Sequence, residues 1–178
     1  DNDFGGGAMV NNGQVFVTNK NGVLYDFEAA SGKILWQKQI GFIDGYGSAG
    51  TPTTDGSILI TGSGYRSDPT MTKDPPGGGL MGIDANGKTR WTVLTQNDVF
   101  GYAAICNGIA FVGLDTDFAA LDASTGAVLW KYPAKALLYA SPAVVRSGIY
   151  TADMAGNVYA FSLPEAINAD SPPPGPVN

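Results

Sequence analysis

The chain has no histidine and a single cysteine, Cys106, among 178 residues. Without histidine, Ser-His-Asp and Cys-His catalysis, imidazole metal ligation and a covalent haem site are excluded. One cysteine excludes an internal disulfide and every paired-cysteine zinc motif. Glutamate is almost missing too: of 16 acidic residues only Glu28 and Glu165 are not aspartate, and Asp favours turns where Glu favours helices. The ten Lys and Arg residues are scattered singly from Lys20 to Arg146, and the formal charge is −6. A nucleic-acid partner needs a basic stripe, so that class is set aside. No apolar run reaches the length of a membrane-spanning helix, and the N-terminus carries no signal-peptide pattern.

What is abundant is glycine, with 25 residues beside 11 prolines, a composition for short strands and tight turns. Apolar residues make up 44% of the chain, enough for a packed core. Three segments repeat: FEAASGKILW (27–36), GIDANGKTRW (82–91) and LDASTGAVLW (121–130). Each is a strand end, a small or acidic residue, a turn glycine and a second strand closing on Trp. All three tryptophans, Trp36, Trp91 and Trp130, occupy this one register. A second series, Asn12-Gly13, Asp55-Gly56, Asn107-Gly108 and Ser147-Gly148, separates short β-prone runs and reads as hairpins. Its glycines are 43, 52 and 40 residues apart.

A four-stranded unit recurring at about 40 residues is the pattern of a β-propeller blade. The expected fold is all-β, with four antiparallel strands per blade. Blades are expected at about 5–40, 48–94, 100–133 and 139–164. The first three are complete, and the fourth stops without a turn glycine or a Trp strand. The second blade carries an insertion at 65–79, rich in proline and glycine, which suits a partner-binding or structural role or a cap over an entrance. Residues 165–178 form a proline-rich tail expected to be extended or disordered. Open sheet edges and blade faces at both ends are expected to pair with further blades, from a longer chain or from a second chain.

These segments resemble the pyrroloquinoline quinone (PQQ) repeat family, whose blades carry an A-x-D-x-x-T-G-K-x-x-W pattern. The resemblance covers the chain up to Pro164 and implies that four blades are half of an eight-bladed ring. A narrower resemblance is to the C-terminal half of quinoprotein alcohol dehydrogenases, including polyvinyl-alcohol dehydrogenase-like members. It rests on NDFGGG (2–7) followed by QVFVTNKNGVLYDFEAASGKILW (14–36). By that resemblance Asp3 falls at the catalytic aspartate, which is also a possible calcium ligand. Lys20 falls where a cation contacts the quinone oxygens. The implied cofactors are PQQ and calcium, the implied substrate is a small alcohol, sugar or polyol, and the implied setting is periplasmic or extracellular. The remaining calcium ligands and the aromatic floor would lie upstream of this chain.

The chemistry suits both residue types. A carboxylate accepts the hydroxyl proton while hydride passes to the quinone carbonyl, and a cation stabilises charge on that oxygen. Without the resemblance, Asp3 is a solvated acid before a glycine turn and Lys20 an exposed hairpin lysine. Asp115 and Asp117 read as solvated turn acids or a cation site, and Cys106 as a buried inert thiol. Two function classes therefore stand side by side: a PQQ-dependent dehydrogenase, and a non-catalytic scaffold built from the same blades.

Overall fold

The computed structural model describes residues 3–41, 50–64, 78–146 and 148–162. The insertion at 65–77 and the tail beyond Ser162 lie outside these, while Gly78 and Gly79 open a strand. Every described element is a β-strand or a turn, and all pairing is antiparallel.

Four sheets follow one another along the chain. The first sheet is β1 (Met9–Asn11), β2 (Gln14–Thr18), β3 (Val23–Glu28) and β4 (Ile34–Gln39), in that order. The second is β5 (Thr53–Thr54), β6 (Leu59–Gly64), β7 (Gly78–Ile83) and β8 (Thr89–Thr95), and the third is β9 (Ala104–Cys106), β10 (Ile109–Leu114), β11 (Asp117–Asp122) and β12 (Val128–Pro133). The fourth holds three described strands, β13 (Ala143–Val145), β14 (Gly148–Ala152) and β15 (Val158–Ser162). The short leading strands β1, β5, β9 and β13 touch in sequence order, so the sheets fan out from a shared inner edge. This is a β-propeller array.

Local chemistry explains the hairpins. Asn12 with Gly13, and Asn107 with Gly108, both adopt positive φ, as a tight primed turn requires. At Asp55-Gly56 only the glycine does so. Gly148 departs from the sequence reading: it belongs to β14 itself.

Strand side chains alternate between faces, and each internal face meets the next sheet. Phe16 and Leu24 of the first sheet pack against Leu59 and Ile83 of the second. Ile60 and Leu80 of the second meet Val112 and Leu121 of the third. Phe111 and Phe118 of the third meet Ile149 and Phe161 of the fourth. Each such side chain contributes roughly 1.5–3 kcal/mol through burial. Cys106 is half-buried beside the last of these layers, not fully buried as expected.

The tryptophans join the sheets in one direction. Trp36 Nε1 donates to the Ala85 carbonyl at 3.1 Å, and Trp91 Nε1 to the Ala123 carbonyl at 3.0 Å. Each indole lies over the outer-turn glycine of the following sheet. A Cβ on Gly87 would stand 3.0 Å from Trp36, and one on Gly126 would stand 2.6 Å from Trp91. Both glycines also hold positive φ, so glycine is required twice over. The three tryptophans share a register but not a burial: Trp91 is 9% exposed, whereas Trp36 and Trp130 are half-buried. Trp130 instead meets Phe118, Tyr132 and Phe161 edge-on or stacked.

Candidate functional site

Lys20 stands in the β2–β3 turn. Asn19, almost wholly buried, accepts the Val23 N–H through Oδ1 at 3.0 Å, and Gly22 at positive φ packs directly on Gly41. The Ile40 N–H closes on the Gly22 carbonyl at 2.7 Å. A fixed turn therefore presents Lys20. Its backbone N–H donates to the Asp3 carbonyl at 2.8 Å, and its Nζ meets Asp3 Oδ2 at 3.0 Å. The structure thus brings together the two residues singled out from the sequence. Their side chains are 61% (Asp3) and 38% (Lys20) exposed, so the pair contributes about 0–1 kcal/mol to stability. Nearby, the Gly7 N–H donates to Thr51 Oγ1 at 2.8 Å and the Thr18 hydroxyl to the Gly50 carbonyl at 2.8 Å. These bonds moor the start of the second sheet to the first.

Asp115 and Asp117 both have partners within the protein. Asp115, at positive φ, accepts the N–H groups of Gln96 and Asn97 and the Asn97 side-chain amide at 2.8–3.0 Å. Its carbonyl accepts the Leu138 N–H at 2.9 Å. One residue of the third sheet thereby holds connections on both sides of it. Asp117 pairs with Lys131 at 3.0 Å.

Toward the opposite edge of the sheets, among the described residues, crevices lie at the first and at the second joint. The first, about 50 Å³, is lined by Asn11, Gln14, Phe16, Thr54 and Asp84 among others. The second, about 230 Å³, lies among Asp55, Ser57, Asn107, Asp122, Ser124 and Leu129. The Asp122 carboxyl is held below the ordinary range by the Ser124 hydroxyl and by N–H groups of the turn, against a smaller opposing effect of burial. At Asp55 burial pushes upward, but Ser57 and the Ile58 N–H bring the net shift down. Asp84 is lowered by the Lys88 and Asn86 N–H groups and by Arg90, 3.7 Å away. Between the third and fourth sheets, Asp153 accepts the Tyr159 hydroxyl at 2.7 Å and the Asn157 amide groups. Burial opposes ionisation there, yet these bonds hold its pKa at about 2.

For a PQQ–calcium centre, the residues present do not suffice. The Lys20 ammonium is already neutralised by Asp3, and Asp3 offers one carboxylate where calcium takes six to eight oxygens. Among the described residues no three His, Cys, Asp or Glu side chains converge.

Comparisons with known proteins agree with this architecture. The chain is 26% identical over 126 residues to the outer membrane protein assembly factor BamB of Burkholderia pseudomallei, covering 69% of this chain and 28% of that protein. Its fold matches BamB from Moraxella catarrhalis with a TM-score of 0.71 at 21% identity, over 90% of this chain and 47% of that one. It also matches the quinohemoprotein alcohol dehydrogenase of Comamonas testosteroni, with a TM-score of 0.65 at 16% identity, over 88% and 33%. The chain thus spans less than half of each of these relatives. The family model PQQ_2, described as outer membrane protein assembly factor BamB, matches residues 1–99 and 76–167. By that match, the chain belongs to the PQQ_2 family of PQQ-repeat β-propellers.

Proposed function

We propose that these blades are part of a larger periplasmic propeller that acts as a non-catalytic, protein-binding scaffold in outer-membrane assembly. The observation that carries this reading is the match of residues 1–99 and 76–167 to the family model described as outer membrane protein assembly factor BamB. The BamB relatives, named as assembly factors, support the same reading. The test is to titrate the full-length protein with PQQ and calcium while recording near-ultraviolet absorbance, and to purify it from envelope membranes. The expected result is no quinone band and recovery with outer-membrane assembly components. A stoichiometric quinone band with alcohol-dependent dye reduction overturns it.

The second reading is a PQQ-dependent dehydrogenase acting on an alcohol, sugar or polyol. The adjacency of Asp3 and Lys20 favours it, as does the shared fold with a quinohemoprotein alcohol dehydrogenase. Under it, Asp3→Asn in the full-length enzyme abolishes turnover and leaves quinone binding in place.

Both readings include completion by further blades. The outer turn of the first sheet ends on Gly32, at positive φ like Gly87 and Gly126, but no described residue stands within 4 Å of the position of its Cβ. In the next two sheets a tryptophan fills that space. The same flank exposes Phe4 and Val10, and the fourth sheet exposes Tyr150 and Val158 at the other end. A neighbouring blade, from a longer chain or a second chain, would cover each of them.

A further inference from the structure

Asp26 sits at the centre of β3 with no exposed surface. Across the strands it pairs with Phe16 on β2 and Trp36 on β4, on the face that packs against Leu59 and Ile83 of the second sheet. The repeat supplies its own controls. By register, the same position is Gly82 in the second sheet, Ala120 in the third and Ala160 in the fourth. Small residues stand there in three sheets and a carboxyl in one. Its Oδ2 accepts the Gln14 side-chain amide at 2.6 Å, and its Oδ1 is buried with no partner among the described residues.

The charged groups around this joint do not relieve it. On β4, Lys38 stands across from Leu24, and on β3 Glu28 stands across from Gln14. On the second sheet Asp84 is engaged by Arg90 and by turn N–H groups. None of the ion pairs among the described residues includes Asp26. Gln14, which donates to it, also lines the crevice at the mouth of this joint.

We propose that the joint between the first two sheets is tightened by acid: a proton taken up by Asp26 closes it, and ionisation loosens it. An ionised carboxylate with one hydrogen bond in an apolar layer is costly, whereas the neutral acid loses far less on burial. In agreement, burial pushes the Asp26 carboxyl above its usual range, outweighing the Gln14 bond that lowers it. Linkage fixes the sign. The folded state holds this proton more tightly than the unfolded chain, so stability rises as pH falls through the folded value and levels off near the unfolded one. Asp55, Asp84, Asp122 and Asp153 are shifted the other way. Their loss confines the effect to the range above about pH 4.

The test is thermal unfolding of the full-length protein between pH 8 and pH 5, for the wild type and Asp26→Asn. The wild type is expected to gain melting temperature as pH falls toward 5, and Asp26→Asn to lose most of that gain while matching or exceeding the wild type at pH 8. An undiminished slope in Asp26→Asn overturns the proposal, as does an equal loss of stability at every pH. Carboxyl-carbon NMR on the wild-type protein decides the matter if the variant does not fold. An Asp26 midpoint above the ordinary aspartate value supports the proposal, and one at or below it overturns it.

Discussion

The first two joints are built from the same repeat and close differently. At the second joint Trp91 lies directly over Gly82 of its own sheet, so closely that a Cβ there would fall inside the indole, and over Gly126 of the next. The ring is clamped between two glycines and is 9% exposed. At the first joint Trp36 makes the same bond to the following turn and lies over Gly87, but the residue across from it is Asp26. With a carboxyl beneath it, the indole stays half-exposed. One side chain on the third strand, Asp26 against Gly82, distinguishes the two joints.

The largest expected effect that checks this contrast is Trp91→Ala, which should cost about 3–5 kcal/mol in urea unfolding. Trp36→Ala should cost roughly half as much, because less of that ring leaves water on folding. Equal losses would erase the distinction. Next comes Gly82→Ala, expected to destabilise by about 1–3 kcal/mol or more through overpacking against Trp91. Gly126→Ala adds strain at positive φ to a clash, whereas Gly32→Ala in this chain meets strain alone, about 1 kcal/mol. Replacing Asp26 by Ala should let Trp36 settle inward, measured as reduced acrylamide quenching in a Trp91→Phe, Trp130→Phe background. A smaller effect concerns acid. Asp153 has a folded pKa of about 2 against an ordinary 3.8, so its contribution is complete above the higher value and disappears as pH falls through the lower one. Asp153→Asn should therefore flatten the acid limb of a stability profile between pH 4 and pH 2. Least of all, Lys20→Ala should change stability by about 0.5 kcal/mol or less, measured by the same unfolding curves.

The features written in consecutive residues were the legible ones. The Trp register and the Asn-Gly hairpins predicted sheets, order and repeat, because turn chemistry and strand alternation act over a few residues. Asp3 and Lys20 were found adjacent because both lie at the edge of one sheet. Asp26 was not legible as a buried acid, since its burial is imposed by Leu59 and Ile83 from another sheet. Its one sequence signal was its place in the repeat, opposite small residues in the other units. Asp115 looked like an ordinary turn acid because its donors, Gln96 and Asn97, arrive from the preceding blade.

The tryptophan latch has a polarity. Trp36 and Trp91 reach forward to the next unit's turn, so an array of such blades has an indole-donating end and a turn-accepting end that are unlike. Contacts of this kind are heterologous, and they end only when the last unit meets the first. A set of blades whose rotation closes becomes a ring without free ends, while one that fails to close is left able to add units without limit. Among the described residues Gly32 is left open at one flank while Tyr150 and Val158 are exposed at the other, and closure is what separates a finite particle from a fibre.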